Sequence, residues 1–296
     1  MAALRGSAAR RTATSAMNLP VRTVLSLLTM AAAVSPLPAL AQKACTAPSQ
    51  DCVAVGDLSV SLSFGAGTRT NPVRGRADIP LFVLPQVSYY GKRFFLESLE
   101  PGVTLYESDA NTFNLIATPG YDRVFFSRSD LQNVVVSTFA GNVSGNPPPP
   151  LVDQSFPVGR RHTTYLAGPE WMFRYRDLIG QVDALYEVTG RHQGYELRAA
   201  VSAPLIQSKQ SLVVSGGWTW KSAATVDYYY GVDNLYKPDA AFNPFIKLSY
   251  GLPLSERWTL TAFVHYEYLD DAIADSPIVS DREVITAFAG FNFKVL

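Results

Sequence analysis

Beyond its first 41 residues, this 296-residue chain has no run that reaches the ~18 uninterrupted apolar residues a membrane-spanning helix requires, so any part of it that crosses a bilayer must cross as strands. Cysteine is nearly absent, with two residues, and histidine is scarce, with three. Two thiols without a neighbouring His are too few for a structural metal site, and no His/Cys cluster has ligand spacing. Neither sign of charge dominates, with 25 Lys and Arg against 25 Asp and Glu. Four of the basic residues (Arg5, Arg10, Arg11, Arg22) fall in the first 41 positions, where there is no acid, which leaves 21 basic against 25 acidic side chains. The remainder is mildly acidic and is not a nucleic-acid binder by charge.

What is present begins with an export signal. Arg10, Arg11 and Arg22 precede or edge an apolar run from Val21 to Val34, and Ala39-Leu40-Ala41 offers an A-x-A site, so cleavage is expected between Ala41 and Gln42. Met17 to Ala41 alone carries the same three parts, which leaves two candidate starts, Met1 and Met17. Residues 42–56 then form a short periplasmic leader and 57–296 the folded domain. Cys45 and Cys52 lie in that leader, and in an oxidising compartment they are expected to close a small disulfide loop. The sequence Gln42-Lys43-Ala44 before Cys45 does not resemble a lipoprotein cleavage site.

Period-two alternation dominates the rest. Leu58, Val60, Leu62 and Phe64 alternate with Ser59, Ser61 and Ser63; Val182, Ala184, Tyr186 and Val188 with Gln181, Asp183, Leu185 and Glu187; Trp258, Leu260, Ala262, Val264, Tyr266 and Tyr268 with Thr259, Thr261, Phe263, His265 and Glu267. A soluble sandwich alternates too. Here, however, the aromatics crowd the ends of the apolar phase, which suits the girdles of a barrel in a bilayer. The fold class this predicts is all-β, a transmembrane antiparallel up-and-down β-barrel of about twelve strands, with ten as the alternative and outer-membrane lipid as its surroundings. Strands are expected near 57–66, 78–90, 93–106, 112–119, 130–140, 162–175, 178–189, 194–206, 211–221, 241–252, 257–269 and 283–295. An even count returns both termini to the periplasm, with 120–129 as a long periplasmic turn and 141–161, 222–240 and 270–282 outside. Pro147-Pro148-Pro149-Pro150 reads as a stiffener of the first of these loops.

Three stretches in the last third carry a resemblance. Val226-Asp227-Tyr228-Tyr229-Tyr230-Gly231-Val232, then Leu252-Pro253-Leu254-Ser255-Glu256-Arg257-Trp258-Thr259-Leu260, then Asp275-Ser276-Pro277-Ile278-Val279, resemble the MltA-interacting protein (MipA/OmpV) family. Tyr89 to Leu96 and Gly190 to Gly194 resemble its second hairpin and mid-chain turn, so the likeness spans roughly 57–296. The resemblance implies an outer-membrane barrel. It also implies a scaffold that links a murein hydrolase to a murein synthase, or a porin-like or adhesive protein. The chain departs from the family at the inserted loop 141–161 and in ending Phe293-Lys294-Val295-Leu296 rather than on an aromatic.

No catalytic residue, cofactor site or metal site is expected. His162 and His192 stand beside arginines, with no acid or nucleophile at useful spacing; His265 and Glu267 share one strand face, where a hydrogen-bonded lumenal pair is the simpler reading than a lipid-modifying enzyme. Glu170 and Arg174, Asp183 and Glu187, and Glu196 and Arg198 fall inward on three successive strands, and with His265 and Glu267 they form the candidate lumenal charge network. Its two readings are a polar filling and a constriction that selects solutes. Tyr228, Tyr229 and Tyr230 with Ser276 and Pro277 form a candidate loop surface near the outer rim.

Overall fold

A computed structural model describes residues 56, 58–126 and 161–296. The expected signal segment with Ala41 and Gln42, the cysteines Cys45 and Cys52, the expected strand 130–140 and the four prolines at 147–150 lie outside those residues.

Twelve antiparallel strands close into a barrel: β1 (Leu58–Arg69), β2 (Ile79–Tyr90), β3 (Phe94–Glu97), β4 (Glu100–Glu107), β5 (Asn111–Pro119), β6 (Tyr165–Tyr175), β7 (Leu178–Glu187), β8 (Tyr195–Gln207), β9 (Ser211–Lys221), β10 (Ala241–Pro253), β11 (Trp258–Tyr268) and β12 (Glu283–Lys294). Each pairs with its sequence neighbours, and β1 pairs with β12 from Ser61↔Lys294 to Arg69↔Thr286. At this seam the backbones press together. A Cβ on Gly65 would lie 2.2 Å from the Ala289 carbonyl oxygen, and one on Gly290 would lie 2.2 Å from that of Phe64, so glycine is required at both.

The strand count matches the expectation, but its composition differs. The expected strand 93–106 is a hairpin, β3 and β4, whose turn at Ser98-Leu99 puts Ser98 at φ 56°. The extra crossing reverses the direction of β5. The segment after it therefore does not form a periplasmic turn. It lies at the end of the barrel that holds the long connections (70–78, 188–194, 222–240 and 269–282), where Tyr121–Phe125 forms a 3-10 helix. The opposite end carries only short turns, at 91–93, 108–110, 176–177, 208–210 and 254–257, together with both ends of the barrel sequence.

The alternation explains the wall. Leu248, Val264 and Phe291 on β10, β11 and β12 point outward and are exposed, whereas Asn243 on β10 and Val284 and Phe288 on β12 point inward and are buried. Aromatic pairs gather at two levels: Trp258 with Phe293 and Phe113 with Trp171 towards the short-turn end, Tyr186 with Tyr195 and Trp218 with Phe242 towards the other. The tryptophans and tyrosines among them, apolar in body and polar at the tip, suit the two headgroup levels of a bilayer.

Candidate functional site

The inward residues divide the lumen into two unlike halves. Near the short turns they are small and polar: Ser202 and Ser215 share a hydrogen bond of 2.8 Å, and Asn292 donates to Ser61 and Ser63 at 3.1 and 2.9 Å. The half towards the long connections is filled. There α1 (Ala223–Tyr230), α2 (Asp271–Ala274), the 3-10 helix and the loop around Val73 bury Phe125, Phe126, Val226, Tyr229, Tyr230, Ile273, Ile278 and Val279 against Val284 of the wall.

One charged contact ties this filling to the wall. Lys221, the last residue of β9, donates to Asp122 Oδ1 and Oδ2 at 2.7 and 2.6 Å, and the Tyr230 hydroxyl donates to Oδ1 at 2.9 Å. Burial by itself would raise the Asp122 carboxyl, but the Lys221 ammonium and the two kinds of donor hold it below the usual carboxylate range. Burial beside that carboxylate pushes the Tyr230 phenol well up, so it stays a donor. Further bonds lock the filling. The Asn71 amide donates to the Phe125 carbonyl at 3.2 Å, Arg161 donates to the Tyr229 and Gly231 carbonyls at 3.2 and 2.9 Å, and Ser276 Oγ donates to the Tyr230 carbonyl at 2.6 Å.

The expected loop surface is thus corrected. Tyr229, Tyr230 and Ser276 are 1%, 0% and 2% exposed, with Tyr228 and Pro277 half-buried beside them. Tyrosine rings bury large apolar area and their hydroxyls find partners inside, so the cluster packs inward instead of facing solvent.

The candidate charge network separates into parts. Glu170 and Asp183 are buried directly opposite each other on β6 and β7; Asn114 donates to Glu170 Oε1 at 2.7 Å, and Gln181 donates to Glu170 Oε2 at 2.8 Å and to Asp183 at 3.1 and 3.2 Å. Arg198 pairs with Glu196 at 2.8 Å and lies over the Tyr121 ring. Glu187 accepts the backbone N–H groups of Thr189, Arg191, His192 and Gln193 and so organises the turn after β7. His192, in that turn, accepts from Gly194 N–H at Nδ1, and burial lowers its pKa, which keeps the ring neutral against Tyr228. Arg174 is exposed near the short turns and makes none of these contacts. His265 packs on Phe245, while Glu267 accepts from Asn243 at 3.2 Å; no hydrogen bond joins His265 to Glu267 among the described residues. Sequence reasoning missed Asp122, Lys221, Asn114 and Gln181. Lys221 alone carried a signal, a cation in the inward phase of a strand.

A closed barrel with an apolar outside, aromatic girdles and a polar, half-filled lumen defines an outer-membrane β-barrel protein. Residues 62–295 match the family model of the MltA-interacting protein MipA, and the chain belongs to that family. "Putative outer membrane protein YiaT" of Escherichia coli K12 is 23% identical over 244 residues, covering 79% of this chain and 90% of the relative; the same protein from Escherichia coli O157:H7 matches equally. The protein resides in the cell outer membrane. Solved structures with some likeness include a porin (TM-score 0.35, 9% identity, 80% of this chain and 99% of that one) and a loop-deletion mutant of OmpT, an outer membrane protein of Vibrio cholerae (TM-score 0.31, 6% identity, 81% and 99%).

Proposed function

We propose that this barrel is a non-catalytic structural and interaction protein of the envelope, which holds murein-metabolising enzymes at its periplasmic face. The observation that carries the reading is the filled half of the lumen. A porin needs a continuous aqueous path, whereas here thirteen buried residues, from Val73 to Val284, pack into one apolar core across the long-connection end. With the short turns facing the periplasm, as in bacterial barrels generally, that core seals the side open to the medium. The family description supports the identity of the partner class, since its founding name refers to an interaction with MltA. The contact surface would be the leader 42–56 and the five short turns, because the 120–126 segment, which a periplasmic partner would otherwise hold, is folded into the seal.

Two measurements test this. In a planar bilayer the folded barrel should give no steady openings, and cross-linking in intact envelopes should capture a murein hydrolase or synthase. Steady, ion-carrying openings with no murein enzyme captured would establish the rival, a narrow porin for small solutes.

A further inference from the structure

We infer that the turn between β7 and β8 is an acid-operated catch on the seal, with His192 as its trigger: a proton from the medium, taken up at His192 Nδ1, frees the turn from α1 and opens the mouth of the barrel. The inference rests on reading the packed core at that end as a seal. His192 Nδ1 accepts a hydrogen bond of 3.1 Å from the Gly194 N–H, so the neutral ring carries its hydrogen on Nε2. That Nε2 is buried without a hydrogen-bond partner among the described residues. The ring packs on α1, with its centroid 5.2 Å from that of Tyr228 and 6.0 Å from that of Tyr229, a buried member of the seal. The turn also lies directly against the start of α1, since a Cβ on Gly194 would sit 2.1 Å from Thr225 Oγ1 and 2.8 Å from Ser222 Oγ.

Protonation turns Nδ1 from an acceptor into a donor, which then faces the Gly194 N–H donor to donor. Thr225 Oγ1, 3.5 Å away, is at the limit of a hydrogen bond and is already engaged with Ser222 Oγ and the Tyr195 carbonyl. The carboxylates around the ring are committed as well: Glu187 of β7 to backbone N–H groups of the turn, Glu196 of β8 to Arg198, and Asp122 of the 3-10 helix to Lys221 and Tyr230. Arg161 lies 5.7 Å over the Tyr228 ring and adds a positive charge there, while Arg191, Asp227 and His162 are exposed. Burial outweighs the attraction of the three carboxylates and holds the imidazole below its usual value. The catch is therefore at full strength above about pH 6.5, the ordinary imidazole value, and weakens as the pH falls below it towards the lowered value of the docked ring. Asp122, whose carboxyl is held below the usual carboxylate range, keeps its charge near pH ~5, so an effect there belongs to the imidazole.

Hydrogen exchange read by mass spectrometry on the full-length barrel in detergent, with folding checked by heat-modifiable migration, tests the catch. Corrected for its intrinsic pH dependence, exchange in residues 190–231 should quicken several-fold from about pH 7.5 to about pH 5, with a ceiling of about thirtyfold set by a released ring of ordinary pKa. His192→Asn keeps an acceptor near the place of Nδ1 but takes up no proton, and should abolish the rise. His162→Gln, at the exposed histidine nearby, should leave it unchanged. In a planar bilayer the native barrel should be silent near neutral pH and flicker open when the long-connection side is brought to about pH 5, whereas His192→Asn should stay silent. The catch is refuted if exchange changes by less than about twofold, if His192→Asn keeps the rise, or if the native barrel stays silent in acid. Openings already present at neutral pH would instead sink the seal reading and leave hydrogen exchange to decide whether His192 holds the turn.

Discussion

Replacing Lys221 by Met tests how the lumen is kept shut. The change keeps the length of the side chain but removes the ammonium that lies 2.7 and 2.6 Å from the two oxygens of Asp122, leaving a buried carboxylate with Tyr230 as its remaining hydroxyl donor. Removing one partner of a buried ion pair costs about 3–5 kcal/mol, because the other charge is left uncompensated. Spread over the equilibrium between a docked and a released 3-10 helix, that is on the order of a hundred- to several-thousandfold towards release. Lys221→Met barrels in a planar bilayer should therefore flicker open where the native protein is silent. Asp122→Asn combined with Lys221→Met removes both charges and should restore most of the silence. The pH dependence has a definite sign. The Asp122 carboxyl is held below its unfolded value, so the pair stabilises the seal fully above about pH 4 and loses that contribution as the pH falls through the lowered folded value. A Lys221→Met barrel as silent as the native one, or a double variant as leaky as the single, would show that the ion pair does not hold the seal.

Two further outcomes follow from the wall and its orientation. Val264→Arg, which places a charge on the lipid face near mid-strand, should cost about 2–4 kcal/mol in urea unfolding, while Thr261→Arg, which points inward, should cost far less; equal costs would mean the facing is wrong by one residue. In a background lacking Cys45 and Cys52, Asp239→Cys should react in intact cells with a thiol reagent that cannot cross the outer membrane, and Ser255→Cys only after permeabilisation; the reverse labelling would place the seal on the periplasmic side.

Most of the barrel wall could be read from alternation, since each strand from β6 to β12 keeps one apolar and one polar phase and is bounded by turn residues. The error at residues 93–106 has a specific cause. The turn uses Ser98 at positive φ instead of Gly or Asn, so nothing in its composition marks it. The signal was a slip of phase: the outward apolar residues fall at even numbers in Phe94 and Leu96 and at odd numbers in Val103 and Leu105. Missing it turned β5 over and sent Asp122 to the wrong end of the barrel. Of the candidate network, Glu170, Asp183, Glu196 and Arg198 were legible because facing alone places them. The Asp122–Lys221 contact joins residues 99 apart through a segment with no period, and neither phase nor spacing could bring them together.

The seam between β1 and β12 has a consequence for the order in which the molecule is assembled. The outer filling draws on both sides of that seam: Arg74 donates to the carbonyls of Pro277 and Val279, and Ser280 N–H donates to the Pro72 carbonyl, across more than 200 residues of chain. These partners face each other only after Gly65 and Gly290 have met, and contacts of such long range form late because the chain entropy of the whole intervening loop is lost first. The lid therefore cannot precede the cylinder. A nascent chain held open by the assembly machinery is an uncapped, unclosed sheet, and the pairing of its first and last strands is the step that both hides the last sheet edge and shuts the mouth.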